Sequence, residues 1–141
     1  MNILFASAEV APFSKAGGLA DVAGSLPLAL KPYVKSIGVI TPLYSLIDRG
    51  QLNLSATEIN GTVQLGSNKY SYEIFRVSES PTQVETWFIA NDVFFKREGI
   101  YTDSTGEGFS DNNLRYFFFQ LVILDLLNTE LSNIDILHCN D

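Results

Sequence analysis

Apolar residues recur along this chain in two rhythms. The run Ile3-Leu4-Phe5-Ala6 is continuous, as in a strand buried on both faces. It gives way to Leu19, Val22, Ala23, Leu26 and Leu30, whose spacing places them on one side of a helix. Residues 2–7 are therefore expected to form a strand, residues 18–31 a helix and residues 36–41 a second strand. Together they make a βαβ unit with its strands parallel. Pro27 lies inside the helical pattern, where it removes a hydrogen bond to Ala23 and predicts a kink. The Lys31-Pro32 step predicts the helix end, because a residue before proline avoids the α region.

From residue 57 to residue 90 the rhythm shortens. Residues 62–65, 70–77 and 84–89 are rich in β-branched and aromatic side chains, and Tyr70, Tyr72 and Ile74 alternate with Ser71 and Glu73. With a turn at Gly66-Ser67-Asn68, this predicts an antiparallel meander, either inserted in the α/β domain or extending its sheet. Residues 91–110 carry Gly99, Gly106 and Gly108 among polar residues and read as a long surface loop with a helical turn near Phe94. A helix capped by Asp111 and running to about Leu131 follows, apolar on more than one face and so expected to be buried. Its Phe117-Phe118-Phe119 cluster and Trp87 read as core. Residues 134–139 read as a buried strand, with His138 a core histidine. The fold class that follows is α/β, a Rossmann-like parallel sheet with an antiparallel meander.

With 141 residues, 46% of them hydrophobic, the chain can bury the core of one domain. No apolar run is long enough to cross a membrane, and no basic segment precedes the first apolar stretch as in a secretory leader. One cysteine forbids an internal disulfide and fits a reducing compartment, which predicts a cytoplasmic location. A formal charge of −7 with nine scattered Lys and Arg argues against nucleic acid as a partner. A neutral polysaccharide meets no such repulsion.

Candidate chemistry gathers where the first strand passes into the first helix, at Glu9-Val10-Ala11-Pro12-Phe13-Ser14-Lys15-Ala16-Gly17-Gly18-Leu19-Ala20-Asp21. Ligands bind at such corners, outside the carboxyl ends of parallel strands. Gly17 and Gly18 lack Cβ, which admits unusual backbone angles and close approach of a ligand. At a helix start their N–H groups point outward and attract anions. Lys15 adds a full positive charge suited to a phosphate oxygen, while Glu9 and Asp21 can accept hydrogen bonds from sugar hydroxyls. The plainer readings are a solvated Lys15, a polar loop Glu9, and an Asp21 that complements the helix dipole for about 0.3–1 kcal/mol. His138 and Cys139 are neighbours on a strand, point to opposite faces and make no metal site. Neither a Walker A loop nor a Gly-x-Gly-x-x-Gly fingerprint is present.

The corner resembles the N-terminal signature of the bacterial glycogen synthases and plant starch synthases, Lys-x-Gly-Gly-Leu-Ala-Asp-Val shortly after a first strand carrying Ser-x-Glu. Here these are Lys15 to Val22 and Ser7-Ala8-Glu9. The resemblance continues through Gly24-Ser25-Leu26-Pro27, Val39-Ile40-Thr41-Pro42-Leu43-Tyr44, Asp111-Asn112-Asn113-Leu114-Arg115-Tyr116 and Ile136-Leu137-His138-Cys139-Asn140-Asp141, in the same order. Residues 31–35 depart from it, with Lys31-Pro32-Tyr33-Val34-Lys35 where the family has a Gly-His or Gly-Asp turn.

The resemblance implies a GT-B glycosyltransferase, of which residues 1–141 are a part of the N-terminal domain and the C-terminal domain is absent. The reaction it implies is retaining transfer of glucose from ADP-glucose to the non-reducing end of an α-1,4-glucan, without metal or other cofactor. Lys15, Gly17 and Gly18 would meet the nucleotide-sugar donor, and Glu9, Asp21 and Asp141 would line the sugar and acceptor side. The remaining catalytic machinery would lie outside these residues, so the fragment alone is expected to be inactive. In a plant the location would be the plastid. An alternative class is a non-catalytic nucleotide-sugar or glucan-binding module; a flavodoxin-like binder is disfavoured because no hydroxyl-rich phosphate loop is present.

Overall fold

The computed structural model describes residues 1–77 and 80–140. Six strands, β1 (Asn2–Ala6), β2 (Ser36–Pro42), β3 (Leu54–Leu65), β4 (Asn68–Val77), β5 (Glu85–Ala90) and β6 (Ile136–Cys139), form one sheet in the order β3-β4-β5-β2-β1-β6. β1 runs parallel to β2 and β6, and β2 parallel to β5, whereas β4 is antiparallel to both β3 and β5. The antiparallel strands thus extend the parallel sheet. They are not a separate insertion.

Three helices connect the strands: α1 (Gly18–Leu30), α2 (Asp92–Phe95) and α3 (Asn112–Asn128). α1 runs unbroken through the buried Pro27 and passes at the Lys31-Pro32 step into a 3-10 turn, where the proline rule puts its end. Consecutive residues Leu4 and Phe5, Val39 and Ile40, and Phe88 and Ile89 are all 2% exposed or less. Successive side chains of a strand face opposite ways, so both sides of the central sheet are covered. A second concentration of apolar contact joins α2 to α3, where the Phe94 and Phe118 rings lie 4.8 Å apart. Among the described residues no helix is long and apolar enough to cross a membrane.

The β3–β4 hairpin is tied back to α3 by a long-range polar bond, from the Tyr72 hydroxyl to Asp125 Oδ2 at 2.6 Å. Burial, reinforced by the Asp125 carboxylate, pushes the phenol well above its ordinary range. Gly61 makes room for that ring, since a Cβ there would stand 2.6 Å from the Tyr72 hydroxyl oxygen.

Four expectations are corrected. β6 is the edge of the sheet, paired with β1, and its Ile136, His138 and Cys139 are exposed, so neither the strand nor the histidine is core. The His138 ring instead lies flat on Phe5, with ring centroids 4.2 Å apart. Phe118 and Phe119 are buried as expected, but Phe117 is 57% exposed, because three successive helical positions cannot all face inward. The Asp111 carboxylate makes no cap bond; it accepts from Arg97 Nη2 at 2.7 Å.

Candidate functional site

The site is built at the carboxyl end of β1, beginning with Ser7, which is fully buried. Its amide donates to the Ile40 carbonyl at 3.1 Å, and its hydroxyl donates to the Glu9 carbonyl at 2.7 Å, turning the chain off the strand. A tight turn follows, closed by bonds between Val10 and Ser14, and the Ala11 amide donates to the Ala20 carbonyl of α1. Gly24 permits that approach: a Cβ there would sit 2.5 Å from the Ala11 carbonyl oxygen. The loop is thereby laid on α1 with Glu9 facing the helix start.

Glu9 is only 4% exposed. Its Oε2 accepts from the amides of Ala16 at 2.5 Å and Gly17 at 2.7 Å, and its Oε1 accepts from the Tyr101 hydroxyl at 2.9 Å. Burial opposes the charge, but the two amides and the phenol outweigh it and hold the carboxyl below its ordinary value. The protein's own carboxylate therefore takes the amides at the entrance to α1, by the same attraction that draws any anion to a helix start. The amides of the first turn proper, from Gly18 onward, have no partner within the helix.

Lys15 and Asp21 form a second, exposed pair. The Lys15 ammonium lies 2.7 Å from both carboxylate oxygens, and the two side chains are 55% and 58% exposed. Such a pair contributes at most about 1 kcal/mol and exchanges partners readily.

A cavity of about 1030 Å³ opens beside these groups, with Glu9, Gly17, Gly18, Tyr101, Asn112 and Asn140 in its polar wall. α3 supplies an apolar side that includes Phe117 and Leu124. Of the residues expected from sequence, Glu9, Gly17 and Gly18 share this wall. Lys15 and Asp21 stand together outside it, and Asp141 lies outside the described residues. The glycines act otherwise than expected. Gly17 has an extended backbone (φ −145°, ψ −163°) that any residue adopts, and neither glycine has a positive φ. A Cβ on either would meet nothing within 4 Å, so what they contribute is clearance on the cavity side.

Several residues of the site are absent from the candidates above; Tyr101 and Asn112 are weighed by sequence as glucan contacts and set aside as an ordinary loop tyrosine and a helix-start residue. Tyr101 reaches Glu9 from the loop after α2, and its carbonyl accepts from Asn112 Nδ2 at 2.8 Å. The Tyr116 and Tyr44 hydroxyl oxygens lie 3.0 Å apart, and Tyr44 donates to the Ala8 carbonyl. Burial pushes both phenols upward, so they remain neutral donors behind the Glu9 wall. The sequence signal for Tyr116 is the Asp111-to-Tyr116 segment at the start of α3, and for Tyr44 the Val39-to-Tyr44 segment; neither says what these residues hold. Among the described residues no cluster of His, Cys, Asp and Glu could hold a metal ion.

The sequence and the fold both have counterparts among known proteins. Residues 2–141 fit the model of the starch synthase catalytic domain. A glycogen synthase of Geotalea daltonii is 36% identical over the whole chain, and one of Myxococcus xanthus is 40% identical. The chain spans 28% and 29% of the length of these two relatives. The catalytic domain of starch synthase IV from Arabidopsis thaliana, bound to ADP and acarbose, superposes on 99% of the chain with a TM-score of 0.82 at 27% identity. This chain covers 28% of that structure. By this match along the sequence and the agreement of fold, the chain belongs to the starch synthase catalytic domain family.

Proposed function

We propose that these residues form part of a glycogen or starch synthase, a hexosyltransferase that moves glucose from ADP-glucose to the non-reducing end of an α-1,4-glucan with retention. The observation that carries the reading is the helix start on the cavity wall, where the Gly18 amide has no partner within the helix and faces open space, with the Lys15 ammonium three residues earlier beside that wall. It is supported by the ADP and acarbose bound to the Arabidopsis enzyme and by relatives named glycogen synthase, which do not favour a non-catalytic binding module.

Lys15 and Gly18 take the diphosphate, and Gly17 gives it clearance while its own amide stays on Glu9. On a chain with a net charge of −7, a local cation matters more to an anionic donor than it would on a basic protein. Asp21 is the resting partner that Lys15 leaves, and its freed carboxylate accepts from a sugar hydroxyl. Glu9 keeps its three donors and offers its remaining lone pairs to the sugar side, which Asp141 also lines. Residues 1–141 alone do not elongate glucan, and a single cysteine suits the cytosol or a plastid.

The test is Lys15→Ala in a protein of the relatives' length. Loss of one charge-assisted hydrogen bond should raise the KM for ADP-glucose by about tenfold to a hundredfold while leaving the glucan KM near its parent value. Unchanged donor kinetics would remove the phosphate role.

A further inference from the structure

Arg115 is the largest fully buried side chain of the molecule, 0% exposed, and among the described residues no carboxylate pairs with it. A guanidinium without a counterion in the interior is costly, so the bonds it makes matter. Its Nε donates to the Phe94 carbonyl at 2.7 Å, and its Nη1 donates to the Ile100 carbonyl at 2.7 Å and to Asn112 Oδ1 at 2.6 Å. The planar group also lies over the Phe109 ring, 4.9 Å from its centroid. One side chain of α3 thus grips the chain at Phe94 and at Ile100, before and after the bend that leads to Tyr101.

The grip is passed on by adjacent bonds. Asn112, held by Arg115, donates in turn to the Tyr101 carbonyl, and the Tyr116 hydroxyl donates to the Ile100 carbonyl at 3.2 Å. With its backbone fixed on both sides, Tyr101 places its hydroxyl on Glu9, which holds the amides of Ala16 and Gly17. A neutral glutamine could reach one of these carbonyls without bringing a charge inside. The guanidinium alone spans both with a rigid fork.

We propose that Arg115 is a positioning residue, which fixes the Tyr101 hydroxyl on Glu9 and through Glu9 sets the cavity wall at the diglycine start of α1. The effect on catalysis rests on the synthase reading above; the effect on Glu9 does not.

Two experiments separate these. In the 141-residue chain, NMR titration of the Glu9 carboxyl should show its midpoint rising toward the ordinary value in Arg115→Lys, as in Tyr101→Phe. Asn112→Ala, which spares the buried charge, should give a smaller rise if Arg115→Lys folds poorly. Variants that lower thermal stability but leave the Glu9 titration at its parent midpoint would overturn the proposal and leave Arg115 a purely structural clamp. In a protein of the relatives' length, Arg115→Lys should lower kcat by up to about a hundredfold, with a smaller change in KM and the acid limb of the rate profile moved upward. An active enzyme whose Glu9 titration and acid limb ignore Arg115 would refute the positioning role while sparing the synthase reading. A Glu9 midpoint that follows Arg115 in a protein without ADP-glucose activity would do the reverse.

Discussion

Glu9 and Asp21 bring the same carboxylate to the same corner and are used in opposite ways. Glu9 is 4% exposed and holds three donors from two separate parts of the chain, whereas the Asp21 side chain is 58% exposed and, among the described residues, pairs with Lys15 alone. Burial makes the first a fixed piece of the wall, since leaving it would strand two amides and a phenol. Solvent leaves the second free to release Lys15, which can then take another anion at little cost. The corner therefore joins a rigid frame to an exchangeable cation.

The largest effect that can break this contrast is at Glu9. Glu9→Ala should destabilise the chain by about 3 kcal/mol in urea denaturation, because three donors lose a charged acceptor together. The same group makes the frame sensitive to acid. Its folded value lies below the ordinary 4.5, so its contribution is fully present above about that pH and is lost as pH falls through the lower folded value. Glu9→Gln should remove that part of the acid dependence, and a parent and variant with parallel stability curves below pH 4.5 would show that Glu9 is no frame. A smaller effect sharpens the other side. Asp21→Asn should change stability by less than about 1 kcal/mol, and the difference should shrink as salt is raised.

The contrast also marks what was legible in sequence. β1, α1 and β2 announce themselves through periodicity and through Pro32, because local rules act within a few residues. Lys15, Gly17, Gly18 and Asp21 are visible for the same reason, lying on one short segment. That Gly17 gives its amide to Glu9 is not visible, since two irregular loop positions carry no period to align them. Tyr101 meets Glu9 across 92 residues, a contact that only the assembled sheet creates. The burial of Arg115 is not legible because arginine is almost never fully buried, and where it is, hydrogen bonds rather than apolar pattern explain it. The exposure of β6 is not legible either, because apolar content reports the strand but not its place at the sheet edge.

The central claim is that the helix start and Lys15 receive a diphosphate. A crystal structure of a protein of the relatives' length with ADP tests it most directly. The account predicts phosphate oxygens within hydrogen-bond distance of Lys15 Nζ and the Gly18 amide, with the Lys15–Asp21 pair opened and Glu9 still on Ala16 and Gly17. ADP bound elsewhere, with Lys15 unmoved on Asp21, would contradict it.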